Sequence, residues 1–320
     1  MRFEEQYLQL MTDIIHYGQK RPDRTGTGTR SKFGPVLTAD LSREFPILLT
    51  KPVAWKTAIK ELLWMISGST NVKPLQEQGV HIWDAWADEQ GELGPTYGAQ
   101  WRNADGAVFR NGVDQLANVI ESLRTDPFSR RHVISSWNVG WLDQMRLPPC
   151  HYSYQFYVDQ TEPVGSSIPG LTSQLRLNTF VTMRSSDLPV GLPFNVLAYA
   201  TLTLMLCREL GYAPGELKLS LADAHLYENQ VEMALEQTAR IRAYLDLGAP
   251  MSDDYLDRRR ATSAFGEQLQ REGLAYPLQG RGPKLLIKPS FQSVLSAKID
   301  DFRVLDYAPI EPRINYPVAV

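Results

Sequence analysis

The sequence predicts an α+β fold in which a large mixed β-sheet carries packed helices. Three observations lead there. Strand-like and helix-like runs interleave irregularly, with no short-period repeat. The run "PFNVLAYATLTLMLCREL" is apolar nearly all round and reads as a buried helix. "HVISSWNV" and "YSYQFYV" are rich in β-branched and aromatic residues and read as strands.

The elements follow in order. Tyr7, Leu8, Met11, Ile14 and Ile15 recur at helical spacing, so a helix comes first. "RPDRTGTGTRSKFG" then breaks the pattern with proline, glycines and small polar residues. "TAIKELLWMISGST" predicts a helix ending near Gly68. Leu116, Val119, Ile120 and Leu123 mark another, stopped by Asp126-Pro127. From about Ile241 to Gly280 the chain turns polar and charged, which reads as a solvated helical excursion. "PKLLIK" and "DFRVLDY" are expected to be late strands.

Composition bounds the function. The chain has 320 residues, enough for a sizeable core in one large domain or two ordinary ones. A formal net charge of -3 argues against a general polyanion binder, so no nucleic-acid partner is expected. Two cysteines cannot build a disulfide framework, which points to a reducing, cytoplasmic setting. "MRFEEQYLQLMTDIIHYGQK" lacks a long apolar core and is not expected to be a secretory signal. No apolar run reaches the length of a membrane span, so no membrane partner is expected.

Several residues are candidates for chemistry. Cys207, inside the apolar helix, reads as core. Cys150 sits instead at a Pro-Pro corner in "MRLPPCHYSYQFYV", where loops meet and ligands bind. His151 is adjacent, but neighbours on a strand face opposite ways, so a hydrolase-type Cys-His pair is awkward. Nearby cations would have to favour the thiolate. Arg24, Arg130, Arg131 and Arg184 could supply that field, and with hydroxyls such as Ser185 a phosphate grip. Each alone also fits a solvated surface arginine. "RTGTGTR" is not a P-loop and could be only a turn.

Asn195 in "GLPFN" is either a helix cap or an amide that reads a nucleobase edge. His225 and Tyr227 share a face if "DAHLYENQ" is extended, and could grip a sugar hydroxyl; the plainer reading is a polar loop. Glu61 is either exposed or a buried carboxylic acid able to shuttle protons. Trp83 and Trp86 could wall a flat ring or simply pack the core. His and Cys spacing suggests no metal site.

The blocks "DRTGTGT", "ELLWMISGSTN", "IWDAWADEQGELGPTYGAQWR", "DPFSRRHVISSWNV", "LPPCH", "RSSD", "GLPFN", "DAHLYEN" and "PVAV" together resemble the thymidylate synthase family. They run in family order over nearly the whole chain. The stretch at about 241–280 stands out as an insertion in one catalytic domain spanning 1–320. The resemblance implies an enzyme that transfers a one-carbon unit from 5,10-methylenetetrahydrofolate, a cosubstrate, to C5 of dUMP. It implies no metal. It also implies a homodimer packed sheet against sheet.

Roles follow from the same resemblance. Cys150 would add to C6 of the pyrimidine. Arg24, Arg184 and Ser185 would hold the phosphate, and Arg130 and Arg131 would reach into the partner's site. Asn195 would read the base edge, favouring dUMP over dCMP. His225 and Tyr227 would hold the sugar 3′-hydroxyl. Glu61 would relay protons, Tyr97 would help remove the C5 proton, and His151 would join the network near the base. Asp187, Ile82, Trp83, Trp86, Gly191 and Phe194 would line the folate site. The tail ending at Val320 would close over the ligands.

Three positions depart from the family pattern. Met183 replaces a glutamine, Pro52 replaces an arginine that anchors the closed tail, and "NH" reads Asn229-Gln230. A loosened tail admits water, and "MRS" is more similar to nucleotide hydroxymethylases. The balance tips to a dUMP hydroxymethylase of the kind some bacteriophages use for modified DNA, acting in the host cytoplasm if viral. Trp83 and "PVAV" keep thymidylate synthase as the alternative. An inactive nucleotide-binding protein is the remote one.

Overall fold

The computed structural model describes residues 2–105, 112–160, 174–246 and 282–318. The chain begins with α1 (Phe3–Tyr17), β1 (Gln19–Arg21), β2 (Thr29–Phe33) and β3 (Val36–Asp40). Next come α2 (Trp55–Ile66), α3 (Lys73–Gln76), α4 (Gly98–Asn103) and α5 (Gln115–Thr125). Strands β4 (Val133–Ser135), β5 (His151–Gln160), β6 (Leu175–Met183) and β7 (Ser186–Asp187) precede α6 (Gly191–Leu210). The order closes with β8 (Ala213–Leu221), β9 (Asp223–Tyr227), α7 (Val231–Asp246), β10 (Lys284–Ile287) and β11 (Phe302–Leu305).

The α+β class holds, but the strands divide differently from the single large sheet expected. A five-stranded mixed sheet runs β3-β8-β6-β5-β4, with only β6 and β8 parallel. A separate four-stranded sheet runs β1-β2-β9-β7. The late strands pair as the antiparallel hairpin β10–β11. The second sheet escapes a periodicity reading because its strands are short and polar. The "break" at 19–33 contains β1 and β2, held by pairing of Thr29 with Tyr227 and Ser31 with His225. "HVISSWNV" is a strand only over β4 and then winds into a 3-10 turn at Val139–Gln144.

Helix α6 is the central post. Its buried residues include Leu192, Val196, Leu197, Leu202, Met205 and Leu206, on every side of the helix. Each such aliphatic side chain contributes about 1.5–3 kcal/mol on burial. It packs on β6, β8 and α2, and Gly211 ends it in the left-handed region at φ 73°. Helix α1 buries Tyr7, Leu8, Met11, Ile14 and Ile15, the predicted stripe. Asp114 caps α5, accepting the Ala117 N–H at 2.9 Å. Among the described residues no helix is long and apolar enough to cross a membrane. Of the stretch at about 241–280, only the end of α7 is described; the rest lies outside the described residues.

Candidate active site

A cavity of about 390 Å³ opens beside the N-terminal end of α6. Cys150, His151, Glu61, Tyr97, Asn195, Ile82, Trp83, Trp86, Gly191 and Phe194 all line it. These residues come from five chain segments, so the fold gathers what the sequence scatters.

Cys150 sits on a bend one residue before β5. Its backbone is pinned on both sides. The N–H donates to Tyr97 Oη at 2.8 Å, and the carbonyl accepts the Arg184 backbone N–H at 2.8 Å. The Arg184 guanidinium completes the clamp, donating from Nε to Pro149 O at 2.9 Å and from Nη2 to Pro148 O at 2.7 Å. The expected opposition of Cys150 and His151 does not hold, since both line the cavity. Strict alternation fails because Cys150 precedes the strand and the β5–β6 register slips between His151 and Ser153. The Arg184 charge favours the thiolate, as expected of a nearby cation, but it does not prevail in the ligand-free protein. Burial pushes the thiol up and outweighs the lowering by the Arg184 charge and the Tyr97 hydrogen bond.

Tyr97 occupies a strained backbone position at φ 33°, rare for a bulky residue. Gly98 follows because a Cβ there would lie 2.6 Å from Met65 O. The strain places the ring in a stack on His151 with centroids 4.4 Å apart. His151 Nδ1 pairs with Tyr199 Oη at 2.7 Å, and the ring is 5% exposed. Burial drops its pKa to about 3, so it stays neutral and cannot serve as a charged partner for the thiol.

Glu61 is 8% exposed, not on the solvent face of α2. Trp83 Nε1 donates to its Oε1 at 2.7 Å. Burial lifts Glu61 to about 7, partly offset by that bond, so it holds or releases a proton near neutrality. Trp64, Trp83, Trp86 and Tyr97 form a chain of ring contacts with centroids about 6 Å apart, enough for a flat-ring wall.

Asn195 is not a helix cap. Helix α6 begins at Gly191, and Asn195 lies within it, lining the cavity. Asp187, Arg184, Ser185, Arg24, His225 and Tyr227 are not among the cavity's lining residues. They flank it. Asp187 pairs with His225 across β7 and β9, and Tyr227 feels the charges of Asp187, Asp23, Arg24 and Cys150. The His225 and Tyr227 rings meet edge-on at 5.3 Å on an extended strand, as expected. The "RTGTGT" loop is ordered by Asp23, which accepts from Thr25 and Gly28 and leaves Arg24 exposed. Burial raises the Asp187 pKa.

Arg130 and Arg131 are exposed and do not line the cavity. Val320 lies outside the described residues, but Val318 does line the cavity. Met183 is fully buried and not among the cavity's lining residues, although it pairs across β5 and β6 with His151, which is. Among the described residues no group of three His, Cys, Asp or Glu side chains could hold a metal ion.

Tyr199, Lys51, Tyr316 and Gln230 were not assigned roles from sequence. Tyr199 lies one helical turn after Asn195, which is the signal that could have found it. Lys51 donates to Pro189 O and sits 5.2 Å from the Tyr316 ring centre. Burial lowers its pKa to about 8.

A thiol, a carboxylic acid poised near neutrality and two tryptophans thus share one cavity, the combination of groups a nucleophilic enzyme needs. The family model for thymidylate synthase matches residues 5–320, and the chain belongs to that family. It is accordingly a folate-dependent transferase of the kind that carries a one-carbon unit from methylenetetrahydrofolate to dUMP.

Proposed function

We propose that this chain modifies C5 of dUMP through a covalent adduct on Cys150. The observation that carries the reading is the shared cavity of Cys150, Glu61 and Asn195, walled by Trp83 and Trp86. Cys150 Sγ, once deprotonated, adds to C6 of the pyrimidine. Arg184, already beside the thiol, favours the thiolate, and a bound phosphate is held by Arg24, Arg184 and Ser185. Asn195 offers a donor and an acceptor to the base edge, which suits uracil. Glu61 protonates O4 as charge develops there, and Tyr97 accepts the C5 proton, directly or through water. His225 and Tyr227 hold the sugar hydroxyl.

The folate supplies the one-carbon unit when bound. Ile82, Trp83, Trp86, Gly191 and Phe194, which line the cavity of about 390 Å³, would hold it, with Asp187 contributing from outside the lining; an apolar cavity of that size suits a flat ring. Val320 would complete the closed tail.

The last step captures an exocyclic methylene on C5. We assign water as the captor, giving 5-hydroxymethyl-dUMP and tetrahydrofolate, because Pro52 removes an anchoring cation from the tail's surroundings. The family's other outcome is hydride capture, giving dTMP and dihydrofolate. One observation favours it: Val318 reaches the cavity wall and helps keep water out. A homodimer is part of the proposal, with Arg130 and Arg131 serving the partner's site. The region at about 241–280 is taken as an insertion in a single catalytic domain.

Mass analysis of the nucleotide formed from dUMP and methylenetetrahydrofolate tests this. 5-Hydroxymethyl-dUMP supports the full reading. dTMP with dihydrofolate overturns the last step alone. Absence of a covalent Cys150 adduct with 5-fluoro-dUMP and the folate would overturn the enzyme reading and leave a nucleotide-binding protein.

A further inference from the structure

Gln230 is fully buried, yet its amide serves three segments at once. Its Oε1 accepts the Tyr227 N–H at 3.0 Å. Its Nε2 donates to the Pro317 carbonyl at 3.0 Å and lies 3.4 Å from Asp187 Oδ2. Tyr227 ends β9, Asp187 ends β7, and Pro317 belongs to the C-terminal segment. The next residue, Val318, lines the cavity.

The neighbouring residue reinforces the attachment. Tyr316 Oη donates to Gln237 Oε1 at 2.7 Å, and Gln237 Nε2 donates to Thr50 Oγ1 at 3.0 Å. Thr50 in turn is held by Glu4, which accepts its N–H at 2.7 Å and its hydroxyl at 2.8 Å. Both glutamines are fully buried and lie on the run from β9 into α7. A buried amide without partners is costly, so these bonds specify one position for the tail.

We propose that Gln230 is a positioning residue that latches the C-terminal segment to Asp187 and the end of β9. The latch sets the wall that Val318 makes and fixes the orientation of the Asp187 carboxylate. It holds without ligand. The prediction for folate rests on the proposed function, in which Asp187 faces that cosubstrate. Gln230→Glu retains the acceptor for the Tyr227 N–H, so the end of β9 and the proposed nucleotide contacts on it stay in place.

Two readouts test it on the full-length protein. The first is amide hydrogen exchange over residues 314–318 in the ligand-free state. Gln230→Glu keeps the acceptor for Tyr227 but removes the donor, and is expected to speed tail exchange about tenfold or more, the effect of losing roughly one buried hydrogen bond. Gln230→His keeps a ring N–H and is expected to restore much of the protection. The second readout is steady-state kinetics: KM for the folate rises at least about fivefold in Gln230→Glu while KM for dUMP stays within about twofold. Where Gln230→Glu does not fold, Gln230→Asn keeps the amide and shortens its reach, with the same expectations. Tail exchange no faster than that of the rest of the protein, or equal changes in both KM values, would overturn the latch. A wild-type protein that does not bind dUMP would sink the proposed function, while tail exchange would still report on the latch.

Discussion

The Tyr97 hydroxyl accepts the backbone N–H of Cys150 at 2.8 Å, which leaves its own proton free to donate to the thiol. The strained tyrosine and the bend that carries the thiol therefore act as one unit. Tyr97→Phe removes both bonds and leaves the ring stack on His151. The thiol pKa, already raised by burial, is expected to rise further, because the thiolate loses a donor. Alkylation of Cys150 by iodoacetamide near pH 8 then slows in proportion to the lost thiolate fraction, roughly tenfold if the pKa climbs by about one. Turnover falls about 10²-fold. An unchanged pH profile of alkylation would show that the hydroxyl does not support the thiolate.

Glu61 carries a second expectation, in its pH dependence. Burial raises its pKa from 4.5 to about 7. The native state then holds a proton that the unfolded chain releases above about pH 4.5. Stability from this group is present below that value and is lost as pH rises through about 7. Glu61→Gln removes the titration. Its melting temperature relative to wild type is expected to climb between about pH 5 and about pH 8. Turnover falls about 10²–10⁴-fold, as for a lost general acid. A temperature difference that is flat with pH would mean Glu61 is ionised in the native state.

Arg184 makes a geometric demand that lysine cannot meet. Its Nε and Nη2 reach two consecutive proline carbonyls, at 2.9 Å and 2.7 Å. An ammonium has no planar fork to span both. Arg184→Lys keeps the charge but loosens the Pro148–Cys150 bend, at a cost of about 1–3 kcal/mol in unfolding free energy. KM for dUMP is expected to rise at least about tenfold, since the proposed phosphate ligand shifts with the clamp. Denaturant titration and kinetics check both. Wild-type stability in the lysine variant would show that charge, not the fork, orders the bend.

Much of this was legible in the sequence, and the parts that were not share a cause. Helical stripes in α1, α2 and α5 and the wholly apolar α6 announce themselves through periodicity, because a buried face needs apolar residues at fixed spacing. The cavity residues were legible only through the motif blocks, since Glu61, Trp83, Cys150 and Asn195 share no spacing that geometry alone would reveal. The second sheet was not legible. Strands such as β1, with all three residues exposed, are held by pairing with a neighbouring strand and not by a pattern of their own. Whether burial or Arg184 wins at Cys150 also could not be read, because that balance depends on how tightly the fold closes around the sulfur. Gln230 looked like a small departure in "ENQ", and its partners lie 43 and 87 residues away.

The outer face of the five-stranded sheet carries the last prediction. Tyr157 and Phe180 are 60% and 44% exposed, and Val133 and Val36 are also exposed. Register puts them on one face: Phe180 and Val133 both pair with Gln155, two residues from Tyr157, and Phe180 also pairs with Lys218. Apolar side chains grouped on a sheet face, with α6 packed on β6 and β8 from the other side, suit burial against a second copy. Phe180→Asp places a carboxylate at the middle of that face, where burying a charge against a second copy is strongly unfavourable even beside Lys218. Sedimentation at micromolar concentration is expected to give twice the 36.2 kDa chain mass for wild type and the single-chain mass for the variant. The exposed arginines Arg130 and Arg131 add a functional arm: if they serve the partner's site, the monomeric variant loses phosphate affinity as well, and KM for dUMP rises at least about tenfold. A variant that stays dimeric would move the interface elsewhere, and a fully active monomer would show that each chain completes its own phosphate grip.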